Sequence, residues 1–340
     1  MARRSTIALW KWNAYEEVPY YMNRLLQLLA ALALTISCAL AQPYPSQPIK
    51  LIVGFTPGTG IDIIARSVGQ KLSERVGQPV VVENKAGASG NIGSESVAHA
   101  KPDGYTLLVT VSTFVMNPAL FKSLPFDPAK DFAPISLSAW GSVLLAATPS
   151  AKVDSVTQLV QAAKANPGKL NYGSPGIGTP HHLAMELFKN VTGTEITHVP
   201  YKGTAGAITD LLGGQIGVMF VPIHVALPHV KAGKLVALAV GSGKRHPTAP
   251  DLPTLAELGV PGIDVDLWYG FMAPRGTPRE VIAKLNGELK AIMALPDIQS
   301  SFAAQGLDPA TSTPEEFQSL IERDLARWTK VVQQAKIAAE

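Results

Sequence analysis

Ile49-Lys50-Leu51-Ile52-Val53-Gly54-Phe55 is followed by Thr56-Pro57-Gly58-Thr59-Gly60 and then by residues 61–76, where apolar side chains recur at 61, 64, 65, 68, 72 and 76. The first run has the length of a strand, and 61–76 has the 3.6-residue period of a helix that buries one face. Val80-Val81-Val82-Glu83 supplies a second strand-length run directly after it. Strand, helix and strand in that order make a βαβ unit. Its strands lie parallel, because the crossover helix returns the chain to the end of the sheet where it started.

The same alternation continues down the chain. Strand-length apolar runs stand at 106–111, 143–148, 170–173, 196–201, 216–220 and 235–241, with helical patterns at 156–165, 179–190 and 205–212. Three helices close the sequence, at 278–294, 296–305 and 314–336. The last places Phe317, Leu320, Ile321, Leu325, Trp328, Val331, Val332 and Ala335 on one stripe. The 29 glycines and 27 prolines punctuate nearly every junction. The expected fold class is α/β.

With 46% hydrophobic and 16% charged residues among 340, the chain can bury a large core or two of middle size. Its formal charge of +3 is scattered, with no basic run, which argues against a nucleic-acid partner. Met22-Asn23-Arg24, the apolar stretch 25–36 and Ala39-Leu40-Ala41 form a secretory signal-peptide pattern with cleavage after Ala41. Residues 1–21 read as an over-extended start, with initiation at Met22. The apolar stretch is about a dozen residues, short of the roughly 20 that span a membrane. Export to the periplasm is therefore expected. Cys38, the only cysteine, falls within this leader, so no disulfide or cysteine metal site is expected in the mature chain. Lipidation at Cys38 is the alternative to cleavage at Ala41, although Thr35 stands where a lipobox has Leu or Val.

Two glycine-rich turns carry the candidate chemistry. Residues 54–62 open a helix whose first N–H groups lack intrahelical partners and whose dipole adds positive potential, an arrangement suited to a carboxylate. Nucleotide motifs fail, since no Lys-Ser/Thr follows Gly60 and the G-x-G-x-x-G spacing is missing. A plain tight turn would use the same glycines. The second turn, Asn171-Tyr172-Gly173-Ser174-Pro175-Gly176-Ile177-Gly178-Thr179-Pro180, places Thr179 as N-cap and Pro180 at the first helical position, ahead of His181, His182 and Glu186. Facing one another, the two helix starts and the hydroxyls of Ser174 and Thr179 could hold both ends of a diacid without arginine. The same hydroxyls also serve as ordinary caps. His182 and Glu186 share a helix face, but H-E-x-x-H and a third ligand are absent, so no metal is expected. Ser174 lies outside G-x-S-x-G, which weakens a hydrolase reading with His181 or His182 as base. His224, just after the run 216–220, could point into a cleft.

Residues 55–66, Gly77-Gln78-Pro79-Val80-Val81-Val82-Glu83-Asn84, Gly90-Asn91-Ile92-Gly93 and Pro102-Asp103-Gly104-Tyr105-Thr106-Leu107-Leu108 closely resemble the Bug proteins, the solute receptors of tripartite tricarboxylate transporters. The resemblance continues through His198-Val199-Pro200-Tyr201-Lys202-Gly203, Asp210-Leu211-Leu212-Gly213-Gly214-Gln215, residues 228–235, Trp268-Tyr269-Gly270 and residues 273–278, and so spans the mature chain. It implies a type II periplasmic-binding-protein fold of two α/β lobes that close over a ligand by hinge motion. Lobe 1 would be residues 44–146 plus 267–340, and lobe 2 residues 147–266.

Carried over by position, the family's carboxylate-holding loops correspond to Phe55, Thr56, Gly58, Thr59, Gly60 and Asp62 in lobe 1 and to Ser174, Ile177, Gly178 and Thr179 in lobe 2. Phe55, Ile177, His224, Trp268 and Tyr269 are candidates for the pocket wall. The implied partners are a small organic carboxylate and either a membrane permease or a sensor kinase. A monomer that catalyses nothing and carries no cofactor is expected. Two departures bear on the ligand. Thr59 separates the two glycines that are consecutive in relatives, and Val221-Pro222-Ile223-His224 stands where many relatives place an aspartate that reaches an amino group. A ligand without an ammonium group follows as the expectation.

Overall fold

The computed structural model describes residues 44–335 and 337, together with the isolated positions 22, 24 and 27. Cys38 and the cleavage point after Ala41 lie outside the described residues, as does most of the apolar stretch 25–36. Residues 47–340 form the compact unit described below.

The predicted βαβ unit is present as β1 (Ile49–Val53), α1 (Gly60–Val76) and β2 (Val80–Asn84), with β1 parallel both to β2 and to β3 (Thr106–Val111). Ile61, Ile64, Ala65, Val68 and Leu72 make the buried face of α1. Between β2 and β3 lies α2 (Asn91–Ala98); α3 (Thr113–Met116) is a single turn after β3. The chain then runs through β4 (Phe132–Ala147), α4 (Val156–Ala165), β5 (Asn171–Ser174), α5 (Pro180–Thr192), β6 (Thr197–Pro200) and α6 (Thr204–Leu212). It continues with β7 (Val218–Pro222), α7 (Ile223–Lys231), β8 (Val236–Val240) and β9 (Asp266–Pro274), and ends with α8 (Arg279–Met293), α9 (Pro296–Ala303), β10 (Leu307–Pro309) and α10 (Pro314–Gln334).

The strand order is β2-β1-β3-β9-β4-β7-β5-β6, with β8 and β10 also paired to β4. This order turns on β4, whose 16 residues serve two neighbourhoods. Residues 132–142 pair antiparallel with β9, and Val143–Ala147 pair with β7 and β8. Sequence patterning exposes only the apolar end of this strand, at 143–148. The earlier part is broken by Pro134, which the structure tolerates because a register shift falls between Pro134 and Ser136. β9 escapes the periodicity for a related reason. Gly270 sits at its centre, and a Cβ there would stand 2.3 Å from the Phe317 ring of α10, so the strand gives up a side chain to let the helix lie close. The helices α2 and α7 were also not expected from the pattern, α7 in part because it contains Pro228.

α10 behaves as its stripe predicts. Phe317, Leu320, Ile321, Trp328 and Val332 are buried, and Thr313 and Glu316 close a reciprocal capping box at its start.

Candidate functional site

The first turn is held by a buried carboxylate. Asp62, 2% exposed in the first turn of α1, accepts the Gly58 N–H at 2.9 Å and the Asn84 amide at 2.8 Å, and pairs with Arg66 at 3.0 Å. Asn84, at the end of β2, also donates to the Phe55 carbonyl at 3.0 Å and accepts from Arg66 at 2.9 Å. Burial pushes the Asp62 carboxyl up, but the bonds from Arg66, Gly58 and Asn84 outweigh it and hold the group below its usual range. The Thr59 hydroxyl donates to the Thr56 carbonyl at 2.9 Å, so the turn is rigid before any ligand arrives.

The second turn is organised by hydroxyls. Thr179 donates to the Gly176 carbonyl at 2.7 Å and accepts the His182 N–H, capping α5 as predicted. Ser174, fully buried, donates to the Gly176 carbonyl at 3.0 Å and lies 2.7 Å from His198 Nε2. Behind it Tyr172, His198 and His182 stack, with neighbouring ring centroids 4.6 and 4.4 Å apart. The Gly178 N–H donates to His182 Nδ1 at 3.3 Å. Burial lowers His182 to about 4 and His198 to about 3, so both rings are neutral at pH 7.

The second turn meets Ser89 and Asn117, and Ser89 neighbours the Gly90 that packs on Gly54 and Phe55 of the first. Ser89 donates to the Ile177 carbonyl, and a Cβ on Gly178, whose φ is +77°, would stand 2.7 Å from Asn117 Oδ1. Beside the contact is a small cavity lined by both helix starts: Phe55, Thr59, Gly60 and Ile61 from the first, Pro175, Thr179, Pro180 and His181 from the second. Val111 at the end of β3, Thr113 at the start of α3, Thr204 at the start of α6, Pro222, Leu267 and Tyr269 complete the wall. A larger neighbouring cavity is lined by Phe55, Ser89, Phe121, Ile177 and Lys202 among others. Among the described residues, no aspartate or glutamate lines either one.

The structure thus sorts the predicted residues. Phe55, Thr59, Gly60 and Thr179 face the smaller cavity, and Ile177 the larger. His224, in the first turn of α7, is half-buried; its ring carbon comes within 3.9 Å of where a Gly60 Cβ would be. Thr56 packs against Gly203, and Gly58 and Gly178 shape the turns without lining the smaller cavity. Three expectations need correcting. Both Asp62 oxygens are spent inside the turn, leaving none for a ligand. The Ser174 hydroxyl is committed to Gly176 and His198 and reaches neither cavity; its histidine neighbour is His198 rather than His181 or His182. Trp268 faces away: its indole donates to Asp324 at 2.9 Å and meets Phe317 edge-on. Strand alternation explains the last case, since Leu267 and Tyr269 on either side face the cavity. Sequence reading missed Thr113 and Thr204, single threonines with no motif around them, and weighed His181 only as a base for Ser174.

A family model described as the tripartite tricarboxylate transporter family receptor matches residues 64–337. The chain belongs to this receptor family. BugT of Bordetella pertussis is 36% identical over 318 residues, covering 92% of this chain and 98% of its own. An R. palustris protein solved with adipate superimposes at a TM-score of 0.84 and 37% identity, over 88% of this chain and 100% of that one. The periplasmic binding protein BugD gives 0.82 at 34% identity, over 87% and 100%. MatC from Rhodopseudomonas palustris, solved with bound malate, gives 0.80 at 31%, over 85% and 100%. The fold is accordingly the periplasmic-binding-protein fold of these receptors, as the resemblance implied. The family is one of solute-binding receptors, not of enzymes.

Proposed function

We propose that this receptor captures a small organic carboxylate without an amino group and delivers it to the membrane permease of a tripartite transporter. The supporting observation is the cavity at which the starts of α1 and α5 converge. Helix N-termini stabilise negative charge without a dedicated cation, and the adipate- and malate-holding relatives share the fold. An ammonium group would find no carboxylate in the wall, because none lines the cavity and Asp62 is spent. Residues 44–146 plus 267–340 would form one lobe and 147–266 the other, with β4 and β9 crossing between them. Export through a signal peptide cut after Ala41 delivers the mature chain to the periplasm.

Thermal-shift and calorimetric titration of residues 42–340 test this reading against mono-, di- and tricarboxylates, aromatic acids and amino acids. Binding of one acid class is expected. Tighter binding of aspartate or glutamate than of succinate or glutarate would refute the amino-free preference, and no binding by protein unfolded and refolded to release carried ligand would refute the receptor reading.

A further inference from the structure

Among the described residues of the cavity wall, one side chain has fully buried polar atoms without a partner. His181, the second residue of α5, is 5% exposed, and both ring nitrogens are buried without a hydrogen-bond partner. Its neighbour His182 has the same burial but uses Nδ1 to accept from Gly178. His224 lies close enough to His181 to act on it electrostatically. Tyr269, whose hydroxyl comes within 3.2 Å of where a Gly60 Cβ would stand, completes this end of the cavity. Burial holds His181 at about 3 and His224 at about 4, so at neutral pH each ring carries one N–H donor and one bare acceptor.

A buried imidazole with neither nitrogen bonded weakens the fold, because the ring has given up its water without replacement. Phe or Leu would fill the space without that cost. The polar ring makes sense where a ligand completes it. Resting on the receptor reading above, we infer that His181 is a specificity-determining residue that donates its N–H to a second oxygen function of the acid bound in this cavity. The favoured ligands are then acids with a distal carboxylate, carbonyl or hydroxyl, and simple alkanoates of the same length bind less well. The discrimination follows from the unpaired donor that an alkanoate's methyl end would leave buried.

Calorimetry of residues 42–340 with the matched pairs succinate/butyrate and adipate/hexanoate reads this directly, in wild type, His181→Leu and His181→Gln. The wild type is expected to favour the diacid of its better-bound pair by about tenfold or more, the scale of one hydrogen bond to a charged group. His181→Leu should collapse that ratio towards one while leaving the monoacid affinity within about threefold, and His181→Gln, which keeps a donor, should restore part of it. In the ligand-free protein His181→Leu should hold or raise the melting temperature, the reverse of what a purely structural histidine would do. Acid binding with an unchanged diacid/monoacid ratio in His181→Leu would overturn the assignment and leave the receptor reading standing. Absence of acid binding by the wild type would overturn both.

Discussion

Replacing Asp62 by alanine tests whether the first turn is rigid because of one buried carboxylate. The change removes the acceptor for the Gly58 N–H and the Asn84 amide, each a bond to a charged oxygen, and strands the Asn84 amide among part-buried atoms. Such bonds contribute about 1.5 kcal/mol or more each, and the Arg66 pair adds at most about 1 because that guanidinium is half exposed. A loss of about 3–4 kcal/mol is therefore expected in urea unfolding, as a lower midpoint at unchanged slope. Combined with Asn84→Ala, the double-mutant cycle should return a coupling of about 1–2 kcal/mol. Because the released turn forms one wall of the cavity, carboxylate affinity should fall as well. A loss under about 1 kcal/mol, with additive single mutants, would refute the claim that Asp62 organises the turn.

Three other outcomes follow from the same structure. Acidification should destabilise the fold. His181, His182, His198 and His224 sit at about 3, 4, 3 and 4, below the ordinary 6.5, so the unfolded chain takes up their protons first. Stability present above pH 6.5 is then lost towards pH 4, at about 1.4 kcal/mol per pH unit for each histidine. Asp266, raised by burial to about 6, binds its proton first in the fold and offsets one of the four below pH 6. A melting temperature that stays flat from pH 6.5 to 4.5 would contradict this. Gly178→Ala should cost about 1–2 kcal/mol of backbone strain and push the second turn away from Asn117 through the 2.7 Å approach to its Oδ1. Gly58→Ala, also at positive φ but with nothing within 4 Å, should cost the strain alone, so equal ligand affinities in the two variants would refute the cross-cleft contact. Trp268→Phe should lower stability by about 2–3 kcal/mol by leaving the buried Asp324 without its indole donor, while carboxylate affinity changes little; a binding loss larger than the stability loss would put Trp268 back in the site.

Local physics made much of the chain legible from its residues. Apolar period alone located α1, α4 and α10 to within a few residues, because each buries one stripe. Thr179 and Pro180 marked the start of α5, since cap chemistry acts within a single turn. The two anion-suited turns were also readable, because unpaired N–H groups at a helix start depend only on neighbours in sequence.

What only the tertiary structure decided is where side chains separated in sequence come to meet. The full length of β4 was hidden because its Pro134 is acceptable only at a register shift created by pairing with β9. Whether Asp62 faces a ligand or its own turn depends on Asn84, 22 residues away. Which of Leu267, Trp268 and Tyr269 sees the cavity depends on the register of β9 against β3 and β4, and a shift of one residue would exchange them. His181 reads as an ordinary helix residue until packing encloses its ring and leaves both nitrogens without a partner. Sequence alone determines periodicity and caps, whose causes are local; pairing and enclosure arise only once the whole chain has folded.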